Sequence, residues 1–187
     1  VCKKHDVVKI KTIGDSYMAV AFPTESDSCE QRAANASIDM LHAVSHIVSP
    51  ASSPASSPAS SPEGSPLQVR IGLHCGPVTA GVIGTERMQY DVWGDTVNVA
   101  SRMESSGEPG RVHVSEAFAL ALSLRHQDQR LLELRHGETD VIPSASEEPG
   151  ASSPFPVPCS LLERGALEIK GKGTMTTYWL SDLQHHS

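Results

Sequence analysis

Aromatic residues are scarce in this chain: two Trp, three Tyr and three Phe make 4% of 187 residues. Gly and Pro are plentiful by contrast, at 14 and 13. That balance excludes a uniformly packed chain and predicts that part of the length buries nothing. What remains suffices for one ordinary core, hence one domain. No basic run or stripe occurs and the formal net charge is −7, which argues against a nucleic-acid surface. Uninterrupted apolar stretches are only a few residues long, far short of the roughly 20 that span a bilayer, so this segment predicts no membrane contact. The start, Val1 to Asp6, has neither an initiator Met nor the apolar centre of a signal peptide, and reads as an excised piece of a longer protein. Cys2, Cys29, Cys75 and Cys159 are scattered, with no C-x-x-C pair. Free thiols in a reducing, cytoplasmic setting are the expectation. No Ser-His-Asp or Cys-His nucleophile signature is present either.

Val7 to Ile13 alternates, with Val8 and Ile10 on one face and Lys9 and Lys11 on the other. Gly14-Asp15 and a second apolar run, Tyr17 to Phe22, complete a hairpin signal. From Cys29 to Val48, Ala34, Ile38, Leu41, Val44 and Val48 form one stripe of an amphipathic helix, with Ser26 or Ser28 available as its cap. Residues 49–66 then repeat ASSP, which predicts an extended, solvated insert, with regulatory Ser-Pro phosphorylation as the alternative reading. Residues 126–158 are polar and Pro-rich and predict a second insert. Between the inserts lie a strand-like Leu67 to His74, a helix-like Thr96 to Glu104, a strand-like Arg111 to Val114 and a short helix from Ser115. Ala166 to Leu180 predicts two strands around Lys170-Gly171-Lys172-Gly173. Strands mixed with helices in this way indicate an α/β or α+β domain.

Three places carry charge in patterns suited to a ligand, the first to a hard cation and the other two to phosphate. Asp15, at a hairpin tip beside a glycine, is a carboxylate suited to a hard cation such as Mg²⁺, although Gly-Asp is also ordinary turn chemistry. On the helix from Thr96, Val99, Ala100 and Met103 share the core side, while Asn98 and Arg102 stand four apart on another. Arg can fork onto a phosphate and Asn can orient a sugar oxygen, against the alternative of a solvated polar face. Lys170 and Lys172 alternate with glycines whose exposed N–H groups suit polyphosphate, or they form a plain charged turn.

Read together, the strings KIKTIGDSYM (Lys9 to Met18), VRIGLHCGPVTAGVIG (Val69 to Gly84), YDVWGDTVNVASRMESSG (Tyr90 to Gly107) and EIKGKGTMTTYWL (Glu168 to Leu180) resemble class III adenylyl and guanylyl cyclases. They stand in the family's order and cover essentially everything outside the inserts. The resemblance implies an α+β fold with a ferredoxin-like βαββαβ core, two such units pairing head to tail around shared sites. It implies two Mg²⁺ or Mn²⁺ ions per site, held by two aspartates. Asp15 matches the second, and nothing here matches the first, expected in an upstream strand. Asn98 would hold the ribose, Arg102 the α-phosphate and Lys170 the terminal phosphates. At the base-reading positions the family's adenylyl members carry Lys and Asp, and its guanylyl members usually Glu and Cys. Lys11 and Asp91 therefore imply ATP as substrate and cyclic AMP as product. Guanylyl cyclase is the nearest alternative, and a non-catalytic dimerisation or regulatory module the more distant one. Both halves of a shared site stand on this one chain, which implies a symmetric homodimer.

Overall fold

The computed structural model describes residues 1–24, 28–47, 66–124 and 159–182. The proposed insert at 126–158 lies outside these residues, as does that at 49–66 except for Pro66, and so does Ser26.

Gly14 makes the first turn possible. Strand β1 (Val8–Ile13) pairs antiparallel with β2 (Ser16–Val20), Ile13 opposite Ser16, leaving only Gly14 and Asp15 in the loop. Positive φ falls on Gly14 alone of the two (+62°), the place a type II′ turn reserves for glycine. The register contains a surprise. Lys9 opposes Ala19 but Lys11 opposes Met18, so Ile10 is an extra, bulged residue. Strict alternation would put Lys9 and Lys11 on one face; the bulge turns Lys11 to the other. Lys9 lies over the Tyr17 ring, 5.4 Å from its centroid, and Lys11 points elsewhere.

Helix α1 (Cys29–Ser45) starts where Ser28 accepts a hydrogen bond from the Gln31 N–H at 3.3 Å, a side-chain N-cap. Its stripe delivers Ala34 and Ile38 to the interior. The helix stops at Ser45, short of the expected Val48, which lies outside the described residues. Arg32, on its buried side, donates to the Asp6 carboxylate at 2.6 Å and to the Phe22 carbonyl. This ties the start of the chain and the exit of β2 to α1.

A four-stranded sheet follows in the order β3–β6–β8–β7, from β3 (Ile71–Leu73), β6 (Val112–Ser115), β7 (Cys159–Ile169) and β8 (Gly173–Asp182). Strands β3 and β6 run parallel and the other pairs antiparallel. Alternation along β6 sorts its two faces. Val112 and Val114 join Ala34, Leu180 and, from α3 (helical residues 116–124), Phe118, Ala119 and Leu122 in the main core. His113 points the other way, toward α2 (Asp95–Ser105), where its Nδ1 donates to the Met103 carbonyl at 2.8 Å. Its other ring nitrogen accepts from Arg164 at 3.3 Å, an arrangement that requires the neutral imidazole, and burial lowers its pKa accordingly. Arg164 also donates to the Ser106 carbonyl at 2.6 Å. The C-terminal end of α2 is thus fixed to the sheet.

Two further strands, β4 (Thr79–Ile83) and β5 (Gln89–Trp93), make a separate hairpin that the sequence reading did not anticipate. Most of its apolar residues (Val82, Ile83, Met88, Tyr90 and Trp93) are exposed and Val92 of β5 is buried, so no sustained core-facing period marks it. Likewise β3 is shorter than the expected Leu67 to His74. The α+β class is the one expected.

Candidate functional site

The bulge at Ile10 has a consequence eighty residues away. Lys11, turned by it, reaches β5, and its Nζ donates to Asp91 Oδ2 at 2.6 Å. The other Asp91 oxygen accepts the Val92 N–H at 2.8 Å. These two donors, Lys11 foremost, hold the Asp91 carboxyl below the usual carboxylate range. At neutral pH Asp91 is an ionised, acceptor-only group beside a cationic donor. A ligand edge that offers a donor next to an acceptor would suit the pair.

A second group forms around α2. Val99 and Met103 bury against Ile169, with Leu167 and Met175 packed alongside. Each of the three buried residues has an exposed polar neighbour in the chain: Asn98, Arg102 and Lys170. The packing that seats α2 on the β7–β8 hairpin therefore brings those three groups to adjoining elements. No ion pair engages Arg102 or Lys170 among the described residues, whereas Lys172 pairs with Asp95, the first residue of α2. That pair was missed from the sequence, where Lys170 and Lys172 carry the same signal. Thr96 adds a hydrogen bond of 2.6 Å to the Pro77 carbonyl, fastening the N-terminal end of α2 to the loop before β4.

Asp15 stands exposed at its hairpin tip, also without an ion pair among the described residues. Its carboxylate is chemically suited to Mg²⁺ or Mn²⁺. Among the described residues, however, no three His, Cys, Asp or Glu side chains lie together as a metal site. One carboxylate does not make such a site.

A family model for the adenylate and guanylate cyclase catalytic domain matches residues 1–143. The chain belongs to this family. The string around Lys170 falls beyond that match, but whole-chain comparisons reach it. Guanylate cyclase soluble subunit beta-2 of Rattus norvegicus is 36% identical over 94% of this chain. This cyclase chain spans only 20% of that protein's length. Among solved structures, the guanylate cyclase domain of RhGC from Catenaria anguillulae, in complex with GTP, superposes with a TM-score of 0.64. It is 27% identical, over 97% of this chain and 75% of that one. The catalytic core of a rhodopsin-guanylyl cyclase with converted specificity, in complex with ATPαS, gives 0.63 at 28% identity over 97% and 74% of the two chains. The assignment to class III nucleotide cyclases and to their α+β fold therefore stands. No helix among the described residues is long and apolar enough to cross a membrane.

Proposed function

We propose that this cyclase domain closes a purine nucleoside triphosphate into its 3′,5′-cyclic monophosphate. The ribose 3′-oxygen gives up its proton and bonds to the α-phosphorus. The bond from that phosphorus to the bridging oxygen breaks, and its electron pair leaves with pyrophosphate. Arg102, with its planar fork of donors, would meet the α-phosphate oxygens as charge spreads over them. Asn98, one helical turn away, would orient the ribose, and Lys170 would hold the terminal phosphates. Mg²⁺ or Mn²⁺, held in part by Asp15, would when bound lower the pKa of the attacking hydroxyl and offset phosphate charge. The reading is supported by the packing of α2 on the β7–β8 hairpin: Asn98, Arg102 and Lys170 are exposed on these adjoining elements, with no ion pair on Arg102 or Lys170 among the described residues. A non-catalytic module has no need of that display.

The choice of nucleotide divides kinship from local chemistry. By kinship guanylyl cyclase is the better supported reading, since the relatives named above carry that name or derive from it. The Lys11–Asp91 pair favours ATP. Adenine offers a ring-nitrogen acceptor and an amino donor along one edge, answered by the Lys11 ammonium and the Asp91 carboxylate. Guanine reverses both, setting N–H against Lys11 and a carbonyl against Asp91. A rhodopsin-guanylyl cyclase with converted specificity solved with ATPαS supports the view that nucleotide choice changes without change of fold. On the residues, ATP is the substrate we infer. The full-length protein, assayed with both nucleotides, should then prefer ATP, and Lys11→Glu with Asp91→Cys should turn the preference toward GTP. Mismatched groups in a sheltered site cost on the order of a few kcal/mol, or about a hundredfold in kcat/KM. A parent enzyme that prefers GTP would establish the guanylyl reading, and product from neither nucleotide would leave the regulatory one.

Two copies paired head to tail fit the same picture. Ile13 and Tyr17 on the first hairpin, and Val82, Ile83, Met88, Tyr90 and Trp93 on the second, expose apolar surface that a partner copy would cover. Free thiols at Cys2, Cys29 and Cys75 accord with a domain working on the cytosolic side.

A further inference from the structure

The two lysines of the Lys170–Gly173 turn are not equivalent. The turn is closed tightly: Ile169 pairs with Gly173 in the hairpin, and the Lys172 N–H donates to the Ile169 carbonyl at 2.8 Å. Its base is seated by Ile169, buried against Val99 and Met103 of α2. Its far side is held by Lys172, whose Nζ is ion-paired with Asp95 Oδ1 at the start of the same helix. Lys170, between these two anchors, is exposed and unpaired among the described residues. Asp95 has its own reason to stay where it is, because an anion in a helix's first turn faces the positive end of the helix dipole. His74 lies near both partners, but burial keeps it neutral, so it does not draw Asp95 away from Lys172.

We propose that Lys172 is a positioning residue: by binding Asp95 it locks the β7–β8 turn onto α2, so that Lys170 alone meets the terminal phosphates, at a fixed offset from Asn98 and Arg102. The inference rests on the cyclase reading and deepens it, assigning different work to two lysines that the sequence presents as alike. An exposed ion pair adds little to global stability. Its consequence is local order, which a phosphate ligand would otherwise have to impose on binding.

The test uses the full-length protein in four forms besides the parent: Lys172→Ala, Asp95→Ala, the exchanged pair Lys172→Asp with Asp95→Lys, and Lys170→Ala. Amide hydrogen exchange across residues 171–174 should quicken in both single variants and slow again in the exchanged pair. Affinity for inorganic tripolyphosphate should fall about fivefold in each single variant, with the KM for nucleotide rising in step and kcat held within about twofold. The exchanged pair should recover at least half of each change, while Lys170→Ala loses more and alters exchange little. If Lys172 touched phosphate itself, Asp at that position would repel the ligand and the exchanged pair would bind worse than Lys172→Ala, overturning the proposal. Unchanged exchange in both single variants, or a parent that does not bind tripolyphosphate, would overturn it too. If exchange and tripolyphosphate follow the expected pattern but the parent turns over neither nucleotide, the interlock stands and the cyclase reading falls.

Discussion

Replacing Arg102 by alanine in the full-length protein should lower kcat by about a hundredfold or more while KM changes only several-fold. The asymmetry follows from where charge develops. In the ground state the α-phosphate already carries negative charge, which many donors and counterions can satisfy. As the 3′-oxygen approaches, charge spreads over the phosphoryl oxygens, and a fixed guanidinium fork gains most at that moment. Arg102 is suited to being fixed because its neighbour Met103 is fully buried and hydrogen-bonded through its carbonyl to His113. Truncating an exposed side chain beside such an anchor leaves the helix in place. Thermal unfolding should shift by no more than about 2 °C, as for most surface substitutions. Arg102→Lys keeps the charge but loses the two-pronged geometry and should recover only part of the rate. A variant whose KM rises while kcat stays put would remove Arg102 from the reacting phosphate and make it a binding residue.

The fold class and the candidate site residues were both legible in the sequence, because each rests on local patterns. Asn98, Arg102 and Lys170 announce themselves because helical spacing and glycine-flanked lysines are local patterns, and the structure sets them on adjoining elements as packing around Val99, Met103 and Ile169 requires. The Ser28 cap and the α1 stripe were equally local. What escaped depended on pairing between distant residues. Two-residue alternation put Lys9 and Lys11 on one face, and nothing in the string Val-Lys-Ile-Lys reveals that Ile10 bulges out of its ladder. The β4–β5 hairpin escaped because most of its apolar side chains are exposed and Val92 is buried without a repeating partner, so the contrast between a wet and a dry face that marks a strand is weak. The split between Lys170 and Lys172 escaped for the same reason as the bulge: only the fold shows that Asp95 is within reach of one of them. Nucleotide choice was read from two residues, and the fold does bring Lys11 and Asp91 into contact, though kinship points the other way.

Gly72→Ala should be the most damaging single methyl group that can be added near the site. Gly72 lies in β3 where α2 crosses it, and a Cβ there would stand 2.0 Å from the Glu104 nitrogen and 2.7 Å from the Ala100 carbonyl oxygen. Both are backbone atoms of a hydrogen-bonded helix, so no side chain can swing aside. Either α2 lifts away from β3 by an ångström or more, or the strand bends. Lifting α2 would loosen Val99 and Met103 from Ile169 and strain the His113 and Arg164 contacts at its C-terminal end. Overpacking of this kind costs about 3 kcal/mol or more, which for a domain of this size means a fall in Tm on the order of 10 °C. Activity should fall further than stability explains. Displacing reacting groups by about 1 Å can cost a hundredfold in rate, and α2 carries both Asn98 and Arg102. Gly14→Ala is the matched control, because a Cβ at Gly14 meets nothing within 4 Å and the penalty is only that of positive φ, +62°. That strain is worth about 1–2 kcal/mol, and its effect on Tm should be correspondingly smaller. Differential scanning calorimetry on the two variants, with cyclase assays at a temperature where both are folded, separates the effects. If Gly72→Ala unfolds no earlier than Gly14→Ala and keeps its rate, α2 does not sit against β3 as closely as Gly72 implies.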